Sequence, residues 1–188
     1  MSNDLDIFEL SDRAKRAQRA LATSTTAQRD GILLAISRAL VDHCEQILHA
    51  NAQDCQRAEE RGMAAGLVDR LRLDESRIRA ISSAVLDVIA LEDPVGTVIR
   101  GGRTDDGLRV TQLRVPMGVI GMIYEARPNV TVDASILCLK AGNAVILRGG
   151  SAALNTNETL VEVIRAAIDS LGFSADLVQT VDPWGRDG

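Results

Sequence analysis

The sequence has few aromatic residues and no excess of basic ones. Aromatic residues make up 2% of its 188 residues, and 21 Lys and Arg against 26 Asp and Glu give a net charge of −5. Nucleic-acid sites need a basic surface that follows the phosphates, and many add aromatic side chains on which bases stack. The composition therefore predicts that nucleic acid is not a partner.

The sequence also lacks an apolar run long enough to cross a membrane, which takes about 20 residues. The first ten residues, MSNDLDIFEL, are acidic, whereas a secretory signal peptide begins with basic residues and continues with an apolar stretch. These two absences predict no membrane partner and a cytoplasmic location.

Cysteine and histidine are scarce, with three and two residues respectively. Cys44 and Cys55 lie on one predicted helix, roughly 16 Å apart along its axis, which is too far for a disulfide. No Cys-x-x-Cys pair or neighbouring histidine has the spacing of a zinc site. We expect reduced thiols and no metal site, with His43 and His49 as ordinary surface or half-buried side chains.

The spacing of apolar residues changes near Pro94. Before it, in residues 25–62 and 74–93, apolar side chains recur at helical intervals. After it, VGTVIRGG and GLRVTQLRV are β-rich, and the turn residues Asp106 and Gly107 lie between them. The sequence predicts a helical segment over residues 1–94 and a β-hairpin ribbon over residues 95–115.

Strands and helices alternate from Pro116 onward, in residues 116–188. The pattern predicts strands at Val119–Tyr124, Ala144–Leu147 and Leu177–Val181, with helices over about 129–140 and 155–171 between them. This β-α-β-α-β order is typical of a parallel sheet that helices cover on both faces. The predicted fold class is α/β.

Local signals mark the ends of these elements. Asn155 with Glu158 matches a capping box at the start of the second helix. Asp133 is predicted in the first turn of the first helix, where the helix dipole favours an anion. The last strand, Leu177–Val181, is expected to leave an exposed parallel edge on an unfinished sheet.

Polar residues follow two of the predicted strands directly. Glu125, Ala126 and Arg127 come after the first strand, and the run Arg148 to Ser151 comes after the second. Ligands of open parallel sheets bind outside the carboxyl ends of the strands. A turn with a solvated arginine has the same pattern, and no glycine-rich nucleotide motif is present to decide between the two.

Four stretches carry a resemblance to a known family: DRLRLDESRI, LEDPVGTVI, the run from Leu108 to Ser151, and TNETLVEVIRAAIDSLGF. They resemble the amino-terminal half of the gamma-glutamyl phosphate reductases (glutamate-5-semialdehyde dehydrogenases), which belong to the aldehyde dehydrogenase superfamily. The resemblance is most specific from Arg114 to Ser151.

The resemblance assigns the predicted segments to parts of that fold. It implies that residues 1–94 are the helical part of a cofactor-binding domain and residues 95–115 a hairpin of the oligomerisation ribbon. Residues 116–188 would be the first half of an incomplete, Rossmann-like NADPH-binding sheet, and the catalytic domain would be absent. A homo-oligomer that forms through the hairpin is expected of the full-length protein.

The resemblance also implies an activity. The family reduces L-glutamyl 5-phosphate with NADPH to L-glutamate 5-semialdehyde and phosphate, in proline biosynthesis. The reaction needs a cysteine thiolate that attacks the acyl phosphate, and the family's cysteine lies in its carboxyl-terminal half. No segment here matches that motif, and Cys138, between Leu137 and Leu139 on a predicted helix, is interpreted as a core residue.

No catalytic residue is therefore assigned. We expect the chain to be a truncated reductase that is inactive by itself, since family members are about twice its length. The alternative hypothesis is a non-catalytic module with residual nucleotide binding or a role in self-association.

Carried over residue by residue, the resemblance implies two sets of site residues. Arg148 and Ser151 would lie near the adenosine ribose, where a serine fits the 2′-phosphate of NADPH and a carboxylate would repel it. The implied cofactor-binding residues are Arg148, Gly149, Gly150 and Ser151, and the implied substrate-binding residues are Glu125, Arg127 and Asn129.

Two of these roles have structural alternatives. Asn129 is either an amide donor to the oxyanion or the N-cap of the following helix. Arg127 contacts a substrate or cofactor anion, or it pairs with Glu125 or another acidic neighbour. The sequence departs from the family at Ala126, which is usually serine, and at Ala152, which is usually glutamate.

Overall fold

A computed structural model describes the backbone of residues 7–187, with side-chain burial for residues 7–184. Five helices precede Pro94; the pattern predicted over residues 25–62 is divided between two of them at His43, and that over residues 74–93 lies on one. The five helices are α1 (Ile7–Ala22), α2 (Thr26–Asp42), α3 (Cys44–Glu60), α4 (Ala65–Leu71) and α5 (Glu75–Ala90).

The hairpin follows the helices. Strands β1 (Val98–Arg103) and β2 (Arg109–Leu113) pair antiparallel, and Gly107 in their connection has a φ of 90° that favours glycine. Every residue of both strands is exposed to solvent.

The α/β fold class is confirmed. Strands β3 (Val119–Ile123), β4 (Ala144–Arg148) and β5 (Val178–Thr180) form a parallel sheet in the order β3-β4-β5. Helices α6 (Pro128–Lys140) and α7 (Leu154–Asp169) make the two crossovers.

Helices cover the sheet in layers around a shared core. Because both crossovers run in the same direction, their usual right-handedness places α6 and α7 on one face of the sheet. The helix α1 contacts all three strands, and α2, α3 and α5 pack on α6 and α7. One cluster of buried apolar side chains runs through these layers. A smaller cluster includes Cys55 of α3 and Val68 and Leu71 of α4.

The predicted capping box at Asn155 and Glu158 is wrong. Helix α7 begins at Leu154, and the fully buried carboxylate of Asp54, from α3, caps it instead. Asp54 accepts hydrogen bonds from the backbone N–H of Asn155 (3.3 Å) and Thr156 (2.8 Å) and from the Thr156 hydroxyl (2.7 Å). It also pairs with Arg57 at 2.6 Å. A side chain from another helix, distant in sequence, therefore satisfies the free N–H groups of α7.

The strand β5, within Leu177–Val181, is an edge strand of the parallel sheet, as predicted, because among the described residues it pairs only with β4. Its side chains are nevertheless covered: Leu177, Val178 and Val181 are buried, and the Gln179 amide donates to the Leu10 carbonyl of α1 at 3.1 Å. The other edge strand is β3, where Ile123 is 77% accessible.

The Asp54 cap predicts a large loss of stability on its removal. Asp54→Ala leaves two backbone N–H groups and the buried Thr156 hydroxyl without their acceptor, so we expect the free energy of unfolding to fall by about 2 to 4 kcal/mol. Glu59→Ala is the matched control, because it removes one acidic residue from the exposed ion pair with Arg72 and should cost less than about 1 kcal/mol. Urea denaturation measures the free energy of unfolding of both variants. Equal losses in Asp54→Ala and Glu59→Ala would contradict the assignment of Asp54 as the cap of α7.

Candidate functional site

The two polar segments predicted to follow the strands lie side by side. The backbone N–H of Tyr124 donates to the Arg148 carbonyl at 3.0 Å, which continues the β3-β4 pairing to the end of both strands. Gly150 lies against Ala126, and a Cβ added at Gly150 would be 2.8 Å from the Ala126 nitrogen. The structure thus brings residues 125–127 and 148–151 together at one edge of the sheet.

A chain of buried hydrogen bonds fixes this edge. The Tyr124 and Thr131 hydroxyls lie 2.7 Å apart, and the Thr131 hydroxyl donates to the side-chain amide oxygen of Asn157 at 2.9 Å. The Asn157 amide donates to Asp182 at 3.1 Å, and Asp182 accepts from the Gly149 N–H at 2.5 Å. We call these five residues the strand-end network. It joins the ends of all three strands to α6 and α7.

Sequence reasoning missed Thr131, Asn157 and Asp182. The available signal was weak: Thr131 and Asn157 are polar residues on helices that pack against the sheet. Burial, opposed by the Thr131 hydrogen bond and assisted by the Asp182 carboxylate, raises the pKa of Tyr124 to about 12. Tyr124 therefore stays neutral near pH 7, as its hydrogen bond to Thr131 requires.

Neighbouring groups of the chain leave no room for a side chain at Gly149 or Gly150. A Cβ at Gly149 would overlap the Asn157 amide nitrogen and lie 3.0 Å from the Asp182 carboxylate. From the sequence, Gly149 and Gly150 were interpreted as room for a ligand to approach the backbone. The structure adds a second reason for glycine at these positions: Gly149 packs against Asn157, and Gly150 packs against Ala126.

The charged and hydroxyl residues of the loop remain accessible. Arg148 is half-buried at the end of β4, and Ser151 is exposed at the start of a short 3-10 helix, Ser151–Ala153. A ligand at the sheet edge therefore has access to the Ser151 hydroxyl.

Glu125 and Arg127 line a cleft of about 250 Å³ between the end of β3 and α4. Both side chains are exposed, and Asn129 does not line the cleft. Arg127 forms no ion pair with an acidic side chain of the part of the chain that the structure describes, so the predicted pairing with Glu125 is wrong.

The N-cap interpretation of Asn129 is also wrong. Arg127 occupies the cap position, and Asn129 lies inside the first turn of α6, where its amide donates to Asp133 at 3.1 Å. Asp133 lies beyond the first turn in which it was predicted. Burial raises its pKa, and the Asn129 hydrogen bond opposes that shift.

No cysteine has the lowered pKa of a reactive thiolate. Burial raises the pKa of the Cys138 thiol to about 11, and Cys138 lies in the main core, as predicted. Burial also raises the thiol pKa values of Cys44 and Cys55, which both lie on α3. All three cysteines are free.

The described residues hold neither a cluster of metal-binding side chains nor a helix that could cross a membrane. Between residues 7 and 187, no three His, Cys, Asp or Glu side chains are grouped as metal ligands would be. Over the same residues, no helix is both long and apolar enough to traverse a bilayer.

Comparison with known proteins identifies relatives over the whole chain. A gamma-glutamyl phosphate reductase of Kineococcus radiotolerans is 53% identical over 176 residues, which are 94% of this chain and 41% of the relative. The corresponding reductase of Clavibacter michiganensis is 50% identical over 97% of this chain and 42% of its own length. The chain thus spans less than half the length of these relatives.

Solved structures agree with the sequence comparison. The crystal structure of gamma-glutamyl phosphate reductase from Thermotoga maritima matches with a TM-score of 0.92 and 41% identity, over 96% of this chain and 44% of that one. A propionaldehyde dehydrogenase of Clostridium phytofermentans shares the fold, with a TM-score of 0.63 and 22% identity, over 93% of this chain and 37% of its own.

These matches confirm the resemblance noted in the sequence. The model of the aldehyde dehydrogenase family covers residues 2–188. The chain belongs to the aldehyde dehydrogenase family.

Proposed function

We propose that this chain is the cofactor-binding part of an NADPH-dependent, cytoplasmic reductase of proline biosynthesis. The whole enzyme would convert L-glutamyl 5-phosphate to L-glutamate 5-semialdehyde and phosphate. The names of the relatives support the reaction, and one structural observation carries the role of the chain: the buried strand-end network fixes the loop 148–151, with Ser151 exposed to solvent, at the carboxyl edge of a parallel sheet.

The loop residues fit the phosphorylated cofactor. Ser151 presents a small, exposed hydroxyl, and Arg148 supplies a cation at the end of the same strand. A hydroxyl and a guanidinium are suitable partners for the 2′-phosphate of NADPH. When bound, NADPH supplies the hydride of the reduction.

The chain's own residues have distinct tasks in this proposal. Asp182 holds the Gly149 N–H and thereby sets the course of the backbone toward Ser151. Arg127 and Glu125 bind charged groups of the substrate at the neighbouring strand end. The Asn129 amide, which donates to Asp133, is the proposed hydrogen-bond donor to the substrate carbonyl oxygen as negative charge develops on it.

The hairpin is proposed as the oligomerisation element, residues 95–115, between the helical part, 1–94, and the cofactor sheet, 116–188. The hairpin exposes five large apolar side chains: Val98, Ile99, Leu108, Val110 and Leu113. Apolar side chains in such a number are typical of a surface that another protein covers. A second copy of the chain is the partner that we propose.

Cofactor preference tests the loop. Ser151→Glu places a carboxylate where the 2′-phosphate would lie, and one like-charge contact of about 1 to 2 kcal/mol weakens NADPH binding roughly 5- to 30-fold. Binding of NADH, which lacks that phosphate, should change little. Nucleotide fluorescence titrations of the chain measure both dissociation constants.

Ser151→Ala is the control for loss of the hydroxyl without added charge. It should weaken NADPH binding less than Ser151→Glu does. Equal affinities for NADPH in wild type and Ser151→Glu, or no binding by the wild-type chain, would contradict the cofactor assignment.

The thiol environment predicts that the 188-residue chain does not turn over substrate. Acyl transfer from glutamyl phosphate needs a thiolate near pH 7, and burial raises the pKa of each of the three thiols. Assays of NADPH oxidation with glutamyl phosphate should give the same background for wild type and Cys138→Ala. Turnover that disappears in Cys138→Ala would contradict this view.

A further inference from the structure

The cleft beside the strand ends has an apolar floor. Met63, Leu67 and Leu71 line it from α4 and the segment that precedes α4, and Ala126 and Ala152 line it from the strand-end loops. Leu71 belongs to the smaller apolar cluster around Cys55 and Val68, and the other lining residues except Leu67 pack against that cluster. The cleft volume of about 250 Å³ is below the roughly 300 to 1,000 Å³ of sites for drug-sized ligands, which suits a small metabolite.

Three charged side chains line the rim of this cleft: Arg70 on α4, and Glu125 and Arg127 at the end of β3. All three are exposed, and none forms an ion pair with another side chain among the described residues. Neighbouring arginines outside this cleft differ, because Arg72 pairs with Glu59 at 2.8 Å and Arg77 with Asp69 at 3.1 Å.

The charges around the cleft complement those of an amino acid with an anionic tail. Two guanidinium groups and one carboxylate surround a small apolar floor, and glutamyl phosphate carries a carboxylate, a phosphate and an ammonium group. We propose that Arg70 binds the α-carboxylate of the substrate and so determines specificity for an amino-acid substrate. The inference rests on the proposed function and extends it to a residue outside the strand-end segments.

The position of each arginine decides which anion it binds. Arg127 lies two residues before Asn129, the proposed donor to the substrate carbonyl oxygen, so it lies on the side of the cleft where the acyl phosphate reacts. Arg70 lies on α4, on the wall that the strand ends do not form. A guanidinium there binds the opposite end of the substrate, where its planar fork accommodates a carboxylate. Glu125 binds the ammonium group.

A pair of stable ligands isolates this contact. The first is 2-amino-6-phosphonohexanoate, in which two methylenes replace the acyl carbonyl and the bridging oxygen of glutamyl phosphate, so that the amine has no ketone with which to cyclise. The second, 5-aminopentylphosphonate, differs from the first only in lacking the α-carboxylate. Calorimetric titration of the 188-residue chain with each ligand gives the contribution of the carboxylate directly.

Arg70→Gln should weaken binding of the first ligand roughly ten-fold, since one charge-assisted contact is lost, and leave binding of the second unchanged. Arg72→Gln is the matched control, because Arg72 does not line this cleft, and it should change neither ligand. An equal loss for both ligands in Arg70→Gln, no loss for either, or no binding of the first ligand by wild type would overturn the inference.

The same titrations separate this inference from the proposed function. If Arg70→Gln leaves the affinity for the first ligand unchanged while NADPH binds as predicted, the role of Arg70 alone is overturned. Carboxylate-dependent binding together with an unchanged NADPH affinity in Ser151→Glu would overturn the cofactor assignment and leave the substrate contact standing.

Discussion

The arrangement of the strand ends depends on one buried carboxylate. Asp182, which follows β5, accepts hydrogen bonds from the Gly149 N–H at the end of β4 and from the Asn157 amide on α7. A buried carboxylate is costly unless donors surround it, so these partners must stay in place for the fold to be stable. Through Asn157 and Thr131 the same constraint reaches Tyr124 at the end of β3. The loop that we assign to the cofactor is therefore held by hydrogen bonds to side chains packed beneath it.

The sequence predicted the order of elements and the shared edge because both follow from local pattern. Alternating apolar strands and helices imply a parallel sheet, and residues after adjacent parallel strands must meet at one edge. It did not predict the cap on α7, because Asp54 and Thr156 are 102 positions apart and only the fold brings them together. The capping signal at Asn155 and Glu158 was locally valid, but a buried acceptor from α3 replaced it. The sequence did predict Leu177–Val181 as an edge strand, but not that α1, which is distant in sequence, contacts its side chains.

The candidate site combines two surfaces that differ in how they are fixed. The cofactor loop is held by buried hydrogen bonds, whereas the cleft beside it has an apolar floor and exposed charges without partners. A loop fixed by buried hydrogen bonds next to exposed charges without ion-pair partners is consistent with a preorganised ligand-binding site. Sequence reasoning found Glu125 and Arg127 at this cleft but not Arg70, because α4 is separated from the strand ends in the chain.

The central claim is that nucleotide binds where the ends of β3 and β4 meet. The most direct test is the backbone amide spectrum of the ¹⁵N-labelled chain, recorded by nuclear magnetic resonance as NADPH is added. The account predicts that the amide shifts concentrate at Gly149, Gly150 and Ser151 and at Ala126, which contacts Gly150. Shifts confined to the groove between α3 and the residues that precede α5, lined by Asn51 and Arg72, would contradict it, as would a spectrum that NADPH leaves unchanged.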